Sequence, residues 1–335
     1  MEHCAIDLGG RKSQVCVRAS DGQVLHEQRL ETHSLKDYLQ GIPRCRVVME
    51  TCAEAFGVAD AALAAGHEVR VVAATLVRSL GVGARRTKTD RRDAQVLSEV
   101  SSRIDLPSVH IPSKRSREWK TICGMREALV HSRTQLINNV RGWLRGQGVR
   151  IRRGTPVSFA TRVRELESVP SYVESQLAVI EVLCAQIKLA ERNIKKLAES
   201  DPVCVRLMTV PGVGPITSLR FVSALDEAAR FPSAHRAESY LGLVPGESSS
   251  SESQHRLSIT KAGQSETRWT LVQAAWSLRI GCRSAGARPL QLWANEVEKR
   301  RGRRIATVAL ARKLAGILFA IWRDGTTFDS TRSAR

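Results

Sequence analysis

Four carboxylates are the residues of this chain whose types and spacing could do chemistry. Asp7 stands in AIDLGG, at the end of an apolar strand pattern and beside two glycines. Glu50 ends a second such run, RCRVVMET (44–51). Asp90 and Asp93 lie three apart in KTDRRDA (88–94), at the start of a helical pattern, and so share one helix face. Four converging carboxylates repel one another unless divalent cations neutralise them, and an all-oxygen donor set suits Mg²⁺ or Mn²⁺. Two such ions, about 3.5–4 Å apart, activate a nucleophile and stabilise the leaving oxygen in phosphodiester chemistry. Taken singly, an Asp at a strand end more often forms a turn. By themselves, Asp90 also reads as a simple helix cap and Asp93 as an ion-pair partner of Arg92 or Arg86. The combination is far more specific than its parts.

Two further segments carry weaker signals. In PGVGPITSLRFVSAL (211–225), Gly212 and Gly214 allow a tight hairpin before a helix, whose amides and N-terminus can hold a phosphate. The segment resembles a helix-hairpin-helix DNA-backbone element, with an ordinary helix–helix turn as the alternative. The run YLGLVPGESSSSESQHRLSITKAGQSETRWTLVQAAW (240–276) reads on spacing alone as a flexible polar loop leading into an amphipathic helix. A serine there needs a base or a metal to activate it, and His255 has no local acid to support it.

The elements that must position these groups follow from periodicity. Residues 3–30 alternate as three short strands, with Gly9-Gly10 and Ser20-Asp21-Gly22 as turns. A helix near 34–41, the strand 44–51, an Ala-rich helix 53–65 and a strand 67–74 come next. Antiparallel strands followed by alternating helices and strands predict a mixed α/β sheet in the order of the ribonuclease H-like fold. Residues 105–114, with two prolines, read as a linker. Residues 115–147 and 171–199 carry helical spacing, near-heptad in the second, and predict an antiparallel coiled coil or helical hairpin. This pair reads either as a plain spacer or as a dimerisation arm that also touches nucleic acid. The expected division is an α/β catalytic domain at 1–108, a helical coiled-coil middle at 109–200 and a mainly α C-terminal domain at 201–335.

Charge bounds the partners. The 335 residues carry 52 Lys and Arg against 33 Asp and Glu, a net +19, which points to a polyanion, nucleic acid before an anionic membrane. Arg85, Arg86, Lys88, Arg91 and Arg92 cluster around the D-x-x-D helix as candidate phosphate ligands. Aromatics are only 4% of the chain, which argues against extended base-stacking platforms. The N-terminus is not a signal peptide, Arg312 and Lys313 interrupt the apolar stretch 305–322, and the eight cysteines form no C-x-x-C pair. A cytoplasmic protein with reduced core thiols and no membrane partner is expected.

In order along the chain, AIDLG, VVMET, KTDRRDA, VPGVGPITS, YLGLVP and ITKAG resemble the hallmarks of DEDD transposases of insertion sequences. That family has a RuvC-like N-terminal domain and a C-terminal serine transposase domain, and its members are described as bridge-RNA-guided recombinases. The resemblance covers nearly the whole chain. It implies a metal-binding tetrad at Asp7, Glu50, Asp90 and Asp93 and a nucleophilic serine within 248–251. Counting from Pro245 favours Ser250, with Ser249 second. Ser251 stands where the family pattern has glycine, a departure that leaves the choice of serine open and bears on activity. The implied site is composite, with a covalent serine–DNA intermediate. The implied partners are donor and target duplex DNA, a structured non-coding guide RNA, and further copies of the chain as a dimer pairing into a tetramer. Lys261 and Arg268 are inferred from charge and position to steady phosphates near the serine. The rival readings are a junction nuclease of the RuvC type using the carboxylates alone, an inactive nucleic-acid-binding relic, and an actin-like ATPase. The last needs a second D-x-G phosphate loop, which is missing after residue 100.

Overall fold

The three N-terminal apolar runs fold as the meander their turn residues specify. The computed structural model describes residues 1–79, 90–166, 168–250 and 253–331; the side chains of 78, 79, 249, 250 and 253–256 also lie outside the description. β1 (His3–Asp7), β2 (Lys12–Arg18) and β3 (Val24–Glu31) pair antiparallel. Next come α1 (Leu35–Gly41), β4 (Arg46–Glu50), α2 (Ala55–Ala64), β5 (Glu68–Val72), α3 (Ala74–Ser79) and α4 (Asp90–Arg103). β4 joins β1 in parallel and β5 joins β4, giving the order β3-β2-β1-β4-β5. Parallel neighbours need a crossover, and the helices between the strands supply it. The mixed sheet is consistent with a ribonuclease H-like domain.

The pleat divides the sheet into two faces. Cys4, Ile6, Val47 and Met49 point one way, into a core with Leu35 and Leu39 of α1 and Val58, Ala59 and Ala62 of α2. Ala5, Val48 and Val72 point the other way and pack with Leu97 of α4 and Val77 of α3. The expected linker lies along the outer strand. Val109 N donates to Val71 O at 2.7 Å, and Val71 N donates to Ser108 Oγ at 3.0 Å. An otherwise open edge is thereby covered.

Two compact units make up the chain, Met1–Pro112 and Ser113–Arg335. The second begins with α5 (Lys114–Gly146), then α6 (Phe159–Arg164) and α7 (Ser171–Ser200). Trp119 and Cys123 share a core with Ile194 and Ala198, while Ile137, Val140 and Leu144 pack with Val173, Leu177 and Ile180. Between these clusters Arg126 Nε donates to Glu191 at 3.2 Å. Rising numbers on α5 meet falling numbers on α7, so the pair is an antiparallel hairpin, and Phe159 and Val163 of α6 pack into its tip.

The rest is α8 (Pro202–Leu207), α9 (Pro215–Leu225), α10 (Ala234–Tyr240), β6 (Pro245–Ser250), β7 (Ser253–Ile259), α11 (Ser265–Gly281), α12 (Arg288–Arg301) and α13 (Arg303–Asp324). α13 is apolar and long enough to cross a membrane, yet it packs as a core helix through Leu310, Leu314, Leu318 and Phe319. The polar segment expected to be a loop has two paired antiparallel strands, β6 and β7, on either side of residues 251–252. Its strands carry serines where apolar alternation would have announced them, so periodicity alone could not find them.

Candidate active site

Asp7 ends β1 and Glu50 ends β4, two adjacent parallel strands in register from His3 with Arg46 to Ile6 with Met49. Both are part-buried. By the alternation of the pleat, Asp7 follows His3 and Ala5, and Glu50 follows Val48, onto the face covered by α4. The turn after Asp7 is pinned by hydrogen bonds. Thr32 Oγ1 donates to Gly9 O at 2.7 Å, and Gly9 N donates to Ser13 Oγ at 3.3 Å. Only glycine fits at position 9, because a Cβ there would stand 2.3 Å from Lys12 O.

The register of α4 against the sheet places its two aspartates. His3 Nδ1 and Ser101 Oγ lie 2.9 Å apart, and Ser98 Oγ is 3.3 Å from the Cys16 thiol. Cys16 is the cross-strand partner of Ala5. Five residues back along the helix span about 7.5 Å, and two residues along the strand span about 6.6 Å. Asp93 therefore reaches the level of Asp7. It lies on the stripe Asp93-Leu97-Ser101 and is only 6% exposed. Asp90, one turn earlier, is exposed and pairs with Arg29 at 3.6 Å.

Neighbouring groups hold α4 in this register. Arg91 Nε donates to Glu27 on β3 at 2.7 Å, and Gln95 donates to the same carboxylate. The Gln95 hydrogen bond, joined by Arg91 and opposed by burial, holds Glu27 below the usual carboxylate range. Arg91, expected to hold phosphate, is thus already paired with a carboxylate of the outer strand β3. Arg92 is exposed beside it. Arg85, Arg86 and Lys88 lie outside the described residues.

The donor set is oxygen-only and shares one sheet end, which fits a hard divalent cation in type. Among the described residues, however, no three Asp, Glu, His or Cys side chains stand close enough to hold a metal ion. The fold brings Asp7, Glu50 and Asp93 to one face and one level without gathering them, and Asp90 stands a turn away, exposed beside Arg29. A neighbour that sequence reasoning missed is Gln14, the cross-strand partner of Asp7, which is 8% exposed. Its signal was a buried polar side chain in the alternation of β2.

In the second unit, β6 and β7 set Ser248 opposite His255, Ser249 opposite Gln254 and Ser250 opposite Ser253. Ser250 is thus at the tip of the hairpin, and the side chains of Ser249, Ser250 and His255 lie outside the described set. The base of the hairpin is stitched by the two flanking motifs. Thr260 N donates to Val244 O at 2.9 Å and Lys261 N to Gly242 O at 3.2 Å. Arg268 Nη1 donates to Leu241 O at 3.0 Å and to Ala262 O at 3.1 Å, so this guanidinium braces GLVP against ITKAG. Lys261 is exposed, with a left-handed backbone at φ 55°. A cleft of about 440 Å³, lined by Lys120, Glu127, His131, Arg220 and Glu266, opens beside the start of α11. Its buried Arg220, which no motif announced, donates to Cys123 O at 3.0 Å and pairs with Glu127 at 3.5 Å.

The two glycines of PGVGP play different parts. Gly212 has φ +83°, and a Cβ there would stand 2.9 Å from Ala274 O and from Leu278 Cβ, so the turn packs tightly on α11. Gly214 has an ordinary extended backbone, φ −108° and ψ −176°, and precedes α9.

Comparison with known proteins agrees with this architecture. Residues 4–147 match the IS110-type DEDD transposase model, and residues 204–289 match the transposase IS116/IS110/IS902 family. The chain is 30% identical to the transposase for insertion sequence element IS1328 of Yersinia enterocolitica, covering 96% of this chain and 97% of that one. It is 26% identical to the IS1111A transposase of Coxiella burnetii, over 96% and 90% of the two chains. It is also 26% identical to the pilin gene-inverting protein of Moraxella bovis, over 78% and 75%. A mixed sheet with acidic strand ends, an acidic helix start laid over it and these matches along both units lead to one conclusion: the chain belongs to the IS110-type family of DEDD transposases and is a DNA-recombining enzyme.

Proposed function

We propose that this transposase cuts and rejoins the DNA of an insertion sequence with an acidic tetrad and a serine nucleophile. The observation that carries the reading is the register of α4, which sets buried Asp93 at the level of Asp7 on the face that also receives Glu50. Asp7, Glu50, Asp90 and Asp93 would hold Mg²⁺ or Mn²⁺, which supplies polarisation of the scissile phosphate and a more acidic attacking hydroxyl. Ser250, or Ser249 beside it, supplies the nucleophile. Its Oγ attacks phosphorus, a serine–DNA ester forms, and the bond to the leaving strand breaks as that strand's hydroxyl takes the proton. Rejoining is the same exchange in reverse with a different strand.

The protein acts in the cytoplasm on donor and target duplexes, as a dimer that pairs into a tetramer, with the α5–α7 hairpin helping assembly. A structured non-coding RNA supplies sequence recognition by base pairing, while the basic protein surface holds the backbone. Purification with the native flanking DNA tests the guide: a discrete RNA transcribed from the flank is expected, and random RNA removes that part of the reading. Denaturing electrophoresis of protein incubated with a cleavable end-labelled duplex tests the chemistry. Wild type yields a covalent adduct that Ser250→Ala abolishes. An adduct that persists in Ser250→Ala and disappears in Ser249→Ala moves the nucleophile. Cleavage with no adduct in any variant replaces the transposase chemistry with hydrolysis by the carboxylates alone. Nucleic-acid binding with no cleavage by wild type identifies a relic.

A further inference from the structure

α11 carries an apolar face that stays largely exposed. Trp269, Trp276 and Ile280 are 51%, 37% and 61% exposed. Seven and four residues apart, they fall within about 40° of one another around the helix. This holds two of the six tryptophans in a chain where aromatics are scarce. The face runs from the segment just after the serine hairpin towards the turn between α12 and α13. The segment KRRGRR (299–304), made of that turn and the helix ends beside it, carries five cations in six residues, all of them exposed.

The aromatic face and the basic turn are locked together. Arg303 lies over the Trp276 ring at 4.5 Å. Arg279, whose side chain is 8% exposed, donates to Arg303 O at 3.1 Å and to Thr307 Oγ1 at 2.7 Å and also pairs with Glu298. The guanidinium layer beside Trp276 is therefore held by a buried brace.

We infer that this face of α11, with the basic turn beside it, is a stacking track for unpaired nucleotides. Exposed indole rings offer π-faces that bind any unstacked base, and adjacent arginines take the phosphates. A base inside a duplex offers no free face, so the chemistry selects single-stranded segments. Trp269 and Trp276 are about 10 Å apart along the axis, roughly three stacked nucleotides at about 3.4 Å each. The partner is the sugar-phosphate strand with splayed bases, whether displaced DNA or a loop of RNA. The inference rests on the nucleic-acid-handling family and is independent of which carboxylates or serine react.

Equilibrium binding of full-length protein to fluorescent 12-mers of oligo(dT) and oligo(U), and to a blunt 12-bp duplex, tests it without turnover. Trp269→Ala and Trp276→Ala are each expected to weaken single-strand binding about 5- to 100-fold, with duplex binding unchanged. The phenylalanine variants should retain most of the affinity. Replacing Arg300, Arg301 and Arg304 by Gln should flatten the salt slope by about 2. The ratio of oligo(U) to oligo(dT) affinity assigns the strand to RNA or DNA, and either supports the track. Unchanged single-strand binding in both alanine variants, with wild-type circular dichroism, overturns it. So does an equal loss on duplex, or a change in sedimentation with oligonucleotide binding intact, which would make the face a contact between copies.

Discussion

The PGVGP turn offers a sharp test, because its two glycines look alike in sequence and differ in structure. Gly212→Ala would force a Cβ into a left-handed backbone, φ +83°, which costs about 1–2 kcal/mol. The same Cβ would stand 2.9 Å from both Ala274 O and Leu278 Cβ, and overpacking of this kind costs about 1–3 kcal/mol. The sum is roughly 2–5 kcal/mol, enough to lower the urea midpoint clearly for a domain of ordinary stability. Gly214→Ala meets open space with an allowed backbone and should be neutral or stabilising by up to about 1 kcal/mol. Urea melts followed by circular dichroism measure both, and duplex binding is measured on the same samples. Equal losses for the two variants would refute the packing argument. If Gly214→Ala keeps full stability and loses DNA affinity, the turn is a phosphate-holding hairpin rather than a plain connection.

Three further outcomes are expected. Asp93→Asn should melt within about 1 kcal/mol of wild type, yet lose both strand cleavage and the Mg²⁺-dependent rise in melting temperature; a retained rise would remove Asp93 from the metal site. Burial pushes the Cys123 thiol up to about 11 and, with the nearby Asp201 charge adding, the Cys204 thiol up to about 12. The thiolate is the reactive form, so at pH 8 only roughly one in a thousand Cys123 and one in ten thousand Cys204 side chains are poised to react. Mass spectrometry after brief iodoacetamide treatment should find part-exposed Cys184 and Cys282 labelled first, and early labelling of Cys204 would contradict its burial. Asp201 caps α8 through Cys204 N at 2.8 Å and pairs with Arg115 at 3.2 Å, so Asp201→Ala should cost about 1–2 kcal/mol by urea melt.

Local periodicity by itself determined much of this protein. The meander, the crossover helices, the two long helices and the apolar last helix each carry a pattern that their own burial enforces, and the structure has all of them. The motifs at Asp7, Glu50 and Asp90–Asp93 marked the acidic positions because strand ends and a helix start announce themselves locally. Which face each acid takes was decided by the tertiary structure: the pairing of β1 with β4 and the docking of α4 through Ser98 and Ser101 set Asp93 over Asp7. The hairpin under the serines was hidden because a strand of serines has no hydrophobic alternation. Arg268 read as a phosphate ligand from its charge and position, but two backbone carbonyls, at Leu241 and Ala262, 27 and 6 residues away, claim one of its nitrogens. Arg91 was likewise drawn to Glu27, a residue 64 positions distant. Charge and residue type are written in the sequence; the partner that satisfies a charge is fixed only when distant segments meet.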